Sequence, residues 1–182
     1  MDNIEQFNKD HPELLNADGT HKLADHWVLW SHAHDNNGWR LQDYRKHCVI
    51  STVESFWGIW NAMPSMINRD MWFLIREGIP PQWEAPINKQ GGAFKFRVQG
   101  PDVDNTWLTL AIHLLSENMC LAPSDAELIS GISVSPKKGG YCTISVWNLD
   151  STRTERAIFP ANIPGINFER SLYDPHDVRK CG

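Results

Sequence analysis

The sequence contains none of the long apolar segments that span or enter a membrane. No run approaches the roughly 20 apolar residues that a transmembrane helix needs, and the first residues, MDNIEQFNKDHPELLNADGTHK, lack the basic and apolar regions of a secretion signal. Cysteine is also scarce, with four residues placed singly and no C-x-x-C pair. Since this argues against a disulfide framework or a zinc ribbon, we expect reduced thiols in a protein of the cytoplasm, or of the cytoplasm and the nucleus.

Catalytic and metal-binding patterns are missing as well. The sequence has no Ser-His-Asp order, no nucleophile elbow and no glycine-rich loop that opens a helix. His32 and His34 form the closest pair among the eight histidines, but no carboxylate or cysteine stands at ligand spacing beside them. We therefore predict neither an enzyme nor a bound metal or cofactor.

Basic residues are too few for a protein that coats nucleic acid. The chain of 182 residues carries 17 Lys and Arg against 22 Asp and Glu, a formal net charge of −5. This balance argues against a wide basic face. Any nucleic-acid ligand must therefore be small and held locally.

Tryptophan, in contrast, is abundant, with nine residues in the chain. A buried indole N–H needs a hydrogen-bond partner, so nine is more than packing alone conveniently uses. Trp83 precedes Glu84 in the segment IPPQWEAPINKQGGAF, whose prolines exclude a helix or a central strand. A large aromatic beside a carboxylate in a stiff loop indicates a ligand site, with packing as the alternative for any single loop tryptophan.

The pattern of apolar residues predicts a polar arm followed by one α+β domain. Residues 1–20 are polar and contain Pro12 and Gly19, which predicts a flexible arm, and residues 21–182 form the domain. Strands and helices are mixed without a regular βαβ order, which favours an antiparallel sheet with helices on one face. The predicted strands cover 27–33, 44–50, 71–78, 93–98, 130–135 and 141–148, and the predicted helices follow residue 51 and cover 105–118. A short helix and an edge strand are expected after residue 151.

Local patterns predict how these elements are oriented. Ser51 and Glu54 form a capping box for the first helix. The inner faces of the two helices carry apolar residues at helical spacing, namely Phe56, Ile59, Trp60 and Met63, and Trp107, Leu110, Ala111 and Leu114. In the strand 141–148 the apolar positions alternate with Trp147, which is therefore predicted to point away from the core.

Seven fragments, taken together, resemble the mRNA cap-binding translation initiation factor 4E family. They occur in the family's order, with similar spacing, between about His21 and Leu149: WVLW at 27–30, Trp39, TVESFW at 52–57, EGIPPQWE at 77–84, NKQGG at 88–92, WLTLAIHLLSE at 107–117 and ISVW at 144–147. The tail after Leu149 matches poorly. The resemblance implies a curved antiparallel β-sheet with helices packed on its convex face and a 7-methylguanosine cap bound on the concave face.

The resemblance assigns the cap base to three tryptophans and one acid. Trp39 and Trp83 match the tryptophans that stack on the methylated base. Glu84 matches the carboxylate that recognises the base edge, and Trp147 the tryptophan near the methyl group. Methylation at N7 makes guanine cationic, so stacking between two indoles gains cation–π attraction. A carboxylate can accept two hydrogen bonds from guanine N1–H and N2–H, whereas adenine presents an acceptor at N1.

The residues that would hold the cap phosphates differ from the family pattern. Four positions carry other side chains than the family's arginine, tryptophan, lysine and arginine, namely Ala93, Phe94, Thr143 and a residue near Ser135. Four nearby cations are the candidates instead, in the order Lys137, Lys138, Lys95 and Arg97. Exposed lysines are usually solvated surface, so we expect phosphate contacts that are either weaker than in the family or differently arranged.

The resemblance also implies a protein-binding surface on the convex face. Six residues match the positions where family members receive an amphipathic helix with a Tyr-x-x-x-x-Leu-hydrophobic motif from a scaffold or repressor protein: His21, Leu23, Val53, Trp57, Leu108 and Ile112. Lys22 replaces the proline usual after the first of these. For Trp57 a place in the core is an equal alternative, whereas an exposed stripe of Val53 and Trp57 forms a helix-binding groove.

These features predict a monomeric, non-enzymatic protein that binds the 7-methylguanosine cap of mRNA and recruits it for translation initiation through a scaffold partner. One alternative is a cap-binding translational repressor or storage factor. Another is a paralogue with a decayed pocket that acts as a protein interaction module, which the altered phosphate positions favour and the intact Trp39, Trp83 and Glu84 oppose. A cap hydrolase is disfavoured, because the sequence shows no metal-binding carboxylate cluster.

Overall fold

Seven antiparallel strands form one curved sheet in the computed structural model, which describes residues 2–63, 65, 70–160, 163 and 166–177. In chain order the strands are β1 (Lys22–His32), β2 (Tyr44–Thr52), β3 (Met71–Arg76), β4 (Gly92–Gln99), β5 (Ile129–Lys137), β6 (Tyr141–Asn148) and β7 (Leu172–Pro175). Across the sheet their order is β2-β1-β3-β5-β6-β4-β7. The predicted α+β class with an antiparallel sheet is confirmed.

Four α-helices accompany the sheet in the described part of the chain. They are α1 (Asp2–Asp10), α2 (Val53–Ala62), α3 (Val103–Leu115) and the single turn α4 (Pro123–Ala126). Short 3-10 helices cover Pro12–Leu14, Leu41–Asp43, Asn88–Gln90, Gly100–Asp102, Arg156–Ile158 and Phe168–Arg170. The longest described helix, α3, has 13 residues, and none of those described has the length and apolar character needed to cross a bilayer.

The main hydrophobic core lies between the sheet and the helices α2 and α3. The predicted inner faces of both helices are confirmed, since Phe56 and all four residues of the α3 stripe are buried, while Ile59, Trp60 and Met63 pack against the core from partly buried positions. We call this helix-covered side of the sheet the convex face. Its strands contribute Trp27, Leu29, Leu74, Phe94, Phe96, Ile132, Val134, Cys142, Ile144 and Val146.

A smaller cluster of buried residues covers the opposite side of the sheet, which we call the concave face. Its members are Tyr44, Phe73, Ile75, Ile79, Ala93 and Trp147, with Trp30, Met71 and Leu149 packed against them. The alternation of β6 thus places Trp147 on the side away from the helices, as predicted. The concave face is therefore rich in aromatic side chains.

The N-terminal cap of α2 differs from the predicted capping box by one residue. Strand β2 continues through Thr52, so Ser51 still belongs to the strand. Thr52 is the N-cap residue, and its hydroxyl accepts a hydrogen bond from the Ser55 amide over 3.1 Å. The Glu54 carboxylate instead accepts hydrogen bonds from the His21 amide and ring, at 3.0 and 2.6 Å.

Both ends of the chain contain more structure than the sequence indicated. In the predicted arm, helix α1 precedes a 3-10 helix, and Asn8 and His21 are joined by a 2.9 Å hydrogen bond. The flexibility of this arm stays a prediction. In the tail, two 3-10 helices replace the single helix expected, whereas the predicted edge strand is confirmed as β7 beside β4. Residues after 177 lie outside the described part.

Candidate functional site

Trp39 lies in the connection between β1 and β2, and its indole is 45% exposed. One face of the ring stacks on His32, with ring centroids 4.4 Å apart and 2° between the planes. Tyr44 meets the indole at an angle of 61°, with the centroids 6.5 Å apart. These two contacts hold the ring in one orientation while nearly half of its surface stays available to a ligand.

His32 supports Trp39 from a buried position, at 1% exposure. Its Nε2 lies 2.6 Å from the Gly38 carbonyl oxygen. A carbonyl only accepts hydrogen bonds, so Nε2 carries the hydrogen and donates it. Nδ1 is buried without a hydrogen-bond partner among the described residues. Sequence reasoning considered His32 only as half of a weak metal pair and missed its contact with Trp39.

Trp83 and Glu84 lie in the connection between β3 and β4, and both are exposed, the indole by 40%. The preceding residue ties this connection to the other tryptophan. Gln82 Nε2 donates a hydrogen bond to the Trp39 carbonyl oxygen over 2.7 Å. The two predicted stacking residues are therefore in adjoining loops at one end of the sheet, and neither is sealed in the core.

The environment of Tyr44 shows that the Glu84 carboxylate is close to the Trp39 side of this site. Burial raises the pKa of the Tyr44 phenol, and the negative charges of Glu84 and Asp43 raise it further. Tyr44 in turn contacts Trp39. The Glu84 carboxylate and the Trp39 indole thus both lie near Tyr44, and this pairing of an acid with an aromatic ring suits a flat, cationic ligand with hydrogen-bond donors on its edge.

A buried asparagine holds the Trp83 connection in shape. Asn88 is fully buried, and its Nδ2 donates to the carbonyl oxygens of Pro80 and Gln82 over 2.7 and 2.8 Å. The backbone carbonyl oxygen of Asn88 accepts a 2.9 Å hydrogen bond from Nδ1 of His176. Burial lowers the pKa of His176, which favours its neutral form. Sequence reasoning did not identify either residue, because nothing in the local pattern links them.

Trp147 forms part of the floor of the concave face and is mostly buried, at 6% exposure. Its Nε1 donates to Ser133 Oγ over 2.9 Å, so the indole N–H is satisfied within the protein. The ring edge meets Phe73 and His176, at centroid distances of 6.2 and 4.9 Å. A ligand can reach little more than one edge of this ring, and its role near a methyl group stays a prediction.

The three lysines predicted to bind phosphate differ in whether their ammonium groups already have a partner within the protein. Lys95 is paired with the Asp174 carboxylate of β7, so its charge is already partly neutralised. Lys137 Nζ donates to the Ser135 hydroxyl over 2.9 Å. Lys138 is exposed in the turn between β5 and β6. Lys137, at the end of β5, and Lys138, in the turn, are therefore better placed to meet an anion than Lys95.

The fourth, Arg97, lies next to the positions where the family pattern has other residues. In the register of the sheet, Thr143 is the cross-strand partner of both Arg97 and Ser135. Thr143 and Ser135 therefore stand where the family pattern has cations. Arg97 lies beside Thr143 on β4, and Lys137 lies two residues after Ser135 on β5. The Arg97 guanidinium itself lies over the Tyr141 ring, 3.9 Å from its centroid.

A second candidate site is an apolar groove of about 570 Å³ on the convex face. Four of the six residues predicted to bind a partner line it, namely Leu23, Val53, Trp57 and Ile112. Trp57 is 40% exposed, so its alternative place in the core is wrong. His21 instead bonds Glu54 and Asn8, and Leu108 packs against the core.

The N-terminal arm contributes to this groove, which the sequence did not indicate. Glu13 and Leu14 form part of its wall together with Lys22. Leu14 is 42% exposed. The groove therefore combines an apolar floor with one acidic and one basic side chain at its rim.

Among the residues that the structure describes, no three His, Cys, Asp or Glu side chains are grouped so that they could hold a metal ion. His32 and His34 do not form a ligand pair, because His32 is used beneath Trp39.

The described residues thus form an α+β domain, in which helices cover one face of a curved antiparallel sheet and exposed indoles and an acid lie at the edge of the other. More particularly, the chain belongs to the eukaryotic initiation factor 4E family, whose family model matches residues 22–160. The resemblance noted in the sequence is thereby confirmed.

Two fungal relatives illustrate the similarity in sequence. Eukaryotic translation initiation factor 4E of Eremothecium gossypii is 30% identical over 135 residues, which are 70% of this chain and 62% of that protein. Eukaryotic translation initiation factor 4E-2 of Schizosaccharomyces pombe is 33% identical over 135 residues, 70% of this chain and 54% of that protein. The matches thus span less than two thirds of each of these relatives.

Solved structures of nematode relatives share the fold. Initiation factor 4E-3 of Ascaris suum, in complex with an m2,2,7G cap, has a TM-score of 0.66 and 27% identity over 74% of this chain and 76% of that chain. Initiation factor 4E-3 of Caenorhabditis elegans, in complex with the 4E-binding protein Mextli and a cap analog, has a TM-score of 0.77 and 24% identity over 90% of this chain and 96% of that chain.

Proposed function

We propose that this protein binds the 7-methylguanosine cap of mRNA, with the methylated base between the indoles of Trp39 and Trp83. The observation that carries the proposal is the hydrogen bond between the Gln82 side chain and the Trp39 carbonyl oxygen. It joins the two loops that carry half-exposed indoles and so limits the freedom that binding must remove.

Charge explains why the methylated base is preferred. Guanine methylated at N7 carries a positive charge, which both indole faces attract, whereas an uncharged guanine gains stacking alone. The Glu84 carboxylate accepts hydrogen bonds from the guanine edge, which the cationic ring makes a better donor. Trp147 contributes an apolar edge near the methyl group.

The phosphates extend towards the strands β4, β5 and β6. We propose Lys137 and Lys138 as their main partners, with Arg97 next to the uncharged Thr143. Lys95 contributes less, because Asp174 shares its charge. Phosphate binding is then more exposed to solvent than the base site, and its strength falls as salt concentration rises.

The convex groove is the proposed docking site for a scaffold or repressor protein. Its apolar floor, lined by Leu23, Val53, Trp57 and Ile112, suits an amphipathic helix with a Tyr-x-x-x-x-Leu-hydrophobic motif. The cap site and this groove lie on opposite faces of the sheet, so both ligands can be held at once. The protein acts in the cytoplasm by binding capped mRNA and recruiting it for translation initiation, and it makes or breaks no covalent bond.

Calorimetric titration with m7GTP and GTP tests the cap-binding proposal. We expect m7GTP to bind at least about tenfold more tightly, because the methyl group adds the positive charge that the indoles attract. Equal affinities would refute charge-selective stacking, and absence of binding to both would favour the alternative of a protein interaction module with a decayed pocket.

Pull-down of capped RNA together with a partner separates a translation factor from a cap-binding repressor or storage factor. A scaffold protein retained on capped RNA through this chain supports recruitment for initiation. Retention of the cap without a scaffold supports the repressor. Trp57→Ala is the matched variant, since it removes an exposed side chain from the groove and leaves the concave face untouched.

A further inference from the structure

We propose that Arg97 and Tyr141 form a stacking platform for a second nucleobase, the one joined to the cap through its triphosphate bridge. This inference rests on the proposed function, since it describes a further contact of the same ligand. The ligand class is a capped dinucleotide or the capped end of an RNA, as distinct from an isolated 7-methylguanosine nucleotide.

The first observation is the contact between the two side chains. The guanidinium carbon of Arg97 lies 3.9 Å from the centroid of the Tyr141 ring, which is cation–π geometry. Arg97 is exposed and Tyr141 is half-buried. The ring thus supports a planar cation at the surface, and planar guanidinium groups stack on nucleobases. Because the tyrosine already restrains the arginine, little side-chain freedom is lost when a base stacks on it.

The turn beside the ring contains two glycines. Gly139 and Gly140 connect β5 to β6 with φ angles of +98° and +76°, which other residues rarely adopt. A Cβ on Gly139 would lie 3.8 Å from the Tyr141 ring. The turn therefore passes close to the ring without placing a side chain there. Lys137, the cross-strand partner of Tyr141, adds a positive charge for a neighbouring phosphate.

The platform lies at a suitable distance from Trp147, the residue proposed to lie near the methyl group of the cap base. Tyr141 and Trp147 are on the same side of β6, six residues apart, which corresponds to about 20 Å along the strand. An extended triphosphate bridge with its two riboses covers a comparable distance. The hydroxyl of Thr143, which lies between them on that side of β6 and is partly exposed, can donate a hydrogen bond to a ribose or phosphate oxygen.

Stacking on this platform does not read the identity of the base. Every base has a π-face, so a guanidinium supported by an aromatic ring accepts purines and pyrimidines alike. We therefore expect a contribution to affinity for all capped RNAs, larger for purines because their rings are larger.

Comparison of two cap ligands across variants tests the platform. The measured quantity is the ratio of the calorimetric affinities for m7GpppA and m7GTP. Tyr141→Leu removes the supporting ring, and Arg97→Lys keeps the charge but removes the planar group. Arg45→Lys, an exposed arginine on β2, is the matched control. We expect the ratio to fall about fivefold or more in both test variants and to stay within about twofold of the wild-type value in the control.

A fluorescent base provides a second readout that a change in phosphate binding does not alter. The second nucleoside of the ligand is replaced by 2-aminopurine, whose fluorescence is quenched by stacking. We expect quenching in the complex with the wild type, and brighter fluorescence when the same ligand is saturated with the Tyr141→Leu or Arg97→Lys protein. Unchanged affinity ratios together with equal quenching in all proteins would overturn the platform while m7GTP binding upheld the cap site. Failure of the wild type to bind m7GTP would instead refute the proposed function, and the platform with it.

Discussion

Trp39 rests flat on His32, with their ring centroids 4.4 Å apart and their planes inclined by 2°. The histidine is buried and hydrogen-bonded to the Gly38 carbonyl oxygen in the loop that leads to Trp39. One face of the indole is thus fixed before any ligand arrives. An aromatic wall that is already ordered costs less free energy on binding than one that must be ordered by the ligand.

The His32 contact predicts an indirect effect on cap binding. His32→Ala removes the support of Trp39 without touching the ligand, and we expect m7GTP affinity to fall about three- to tenfold, because a mobile side chain costs about 0.5 to 1.5 kcal/mol to immobilise. His32→Phe preserves a flat ring at this position and retains most of the affinity. Calorimetric titration measures both. His34→Ala changes an exposed neighbour and serves as the control; wild-type affinity in His32→Ala would contradict a supporting role.

Trp83→Ala tests stacking directly. Loss of one stacking face costs about 1 to 3 kcal/mol, so the affinity for m7GTP falls about 5- to 150-fold. The matched control is Trp57→Ala, because Trp57 has the same 40% exposure but lies on the convex face. Calorimetry is preferred to tryptophan fluorescence here, since both variants remove a fluorophore. A loss of similar size in the two variants would point to a general defect in the fold.

Glu84→Gln tests recognition of the base edge. The amide keeps the shape of the carboxylate but offers one acceptor oxygen instead of two, and it removes the negative charge. We expect most of the preference for guanine over adenine caps to disappear, as measured by competition between m7GTP and the corresponding methylated adenine nucleotide. Glu77→Gln changes another exposed acid of the same connection and keeps the preference. If Glu84→Gln discriminated as well as the wild type, another group would read the base.

His176 predicts a pH dependence of stability. Burial lowers the pKa of His176 in the folded protein, and the positive charge of Lys95 lowers it further, while the hydrogen bond to the Asn88 carbonyl oxygen and the charge of Asp174 raise it by less. The unfolded chain therefore takes up the proton first, so the free energy of unfolding falls as the pH drops below the ordinary histidine value of about 6.5. At higher pH both states are neutral and this effect vanishes.

Chemical denaturation of the wild type and His176→Asn between pH 7.5 and 5 measures this dependence. Asparagine can replace the Nδ1–H donor but does not titrate, so the variant loses less stability than the wild type on acidification. The pKa of His47 is also lowered by burial, but His47 is present in both proteins and cancels in the comparison. Identical pH profiles would show that His176 is not held neutral.

From the sequence we could predict most of the strands and helices and choose candidate site residues, but not the residues that support them. Trp83 and Glu84 stand out in a stiff, proline-rich loop, the family resemblance added Trp39, and all three side chains are exposed. The supports depend on contacts between distant positions: Asn88 meets His176 across 88 residues, and Gln82 meets Trp39 across 43. Periodicity within a segment carries no information about such pairs.

The predicted capping box failed for a related reason. Ser51 and Thr52 are both favoured types of N-cap residue, and the length of β2 decides between them. That length is set by pairing with β1, in which Lys22 lies opposite Thr52. The Glu54 side chain, which the sequence pattern assigned to the cap, instead forms a tertiary hydrogen bond with His21.

The central claim is that a cationic purine binds between the indoles of Trp39 and Trp83, with its pairing edge on the carboxylate of Glu84. The crystal structure of the complex with m7GTP measures this most directly. The account predicts the base plane within about 3.5 to 4.0 Å of both rings and guanine N1 and N2 within hydrogen-bond distance of Glu84. A base stacked on only one of these indoles, or bound elsewhere on the sheet, would contradict it.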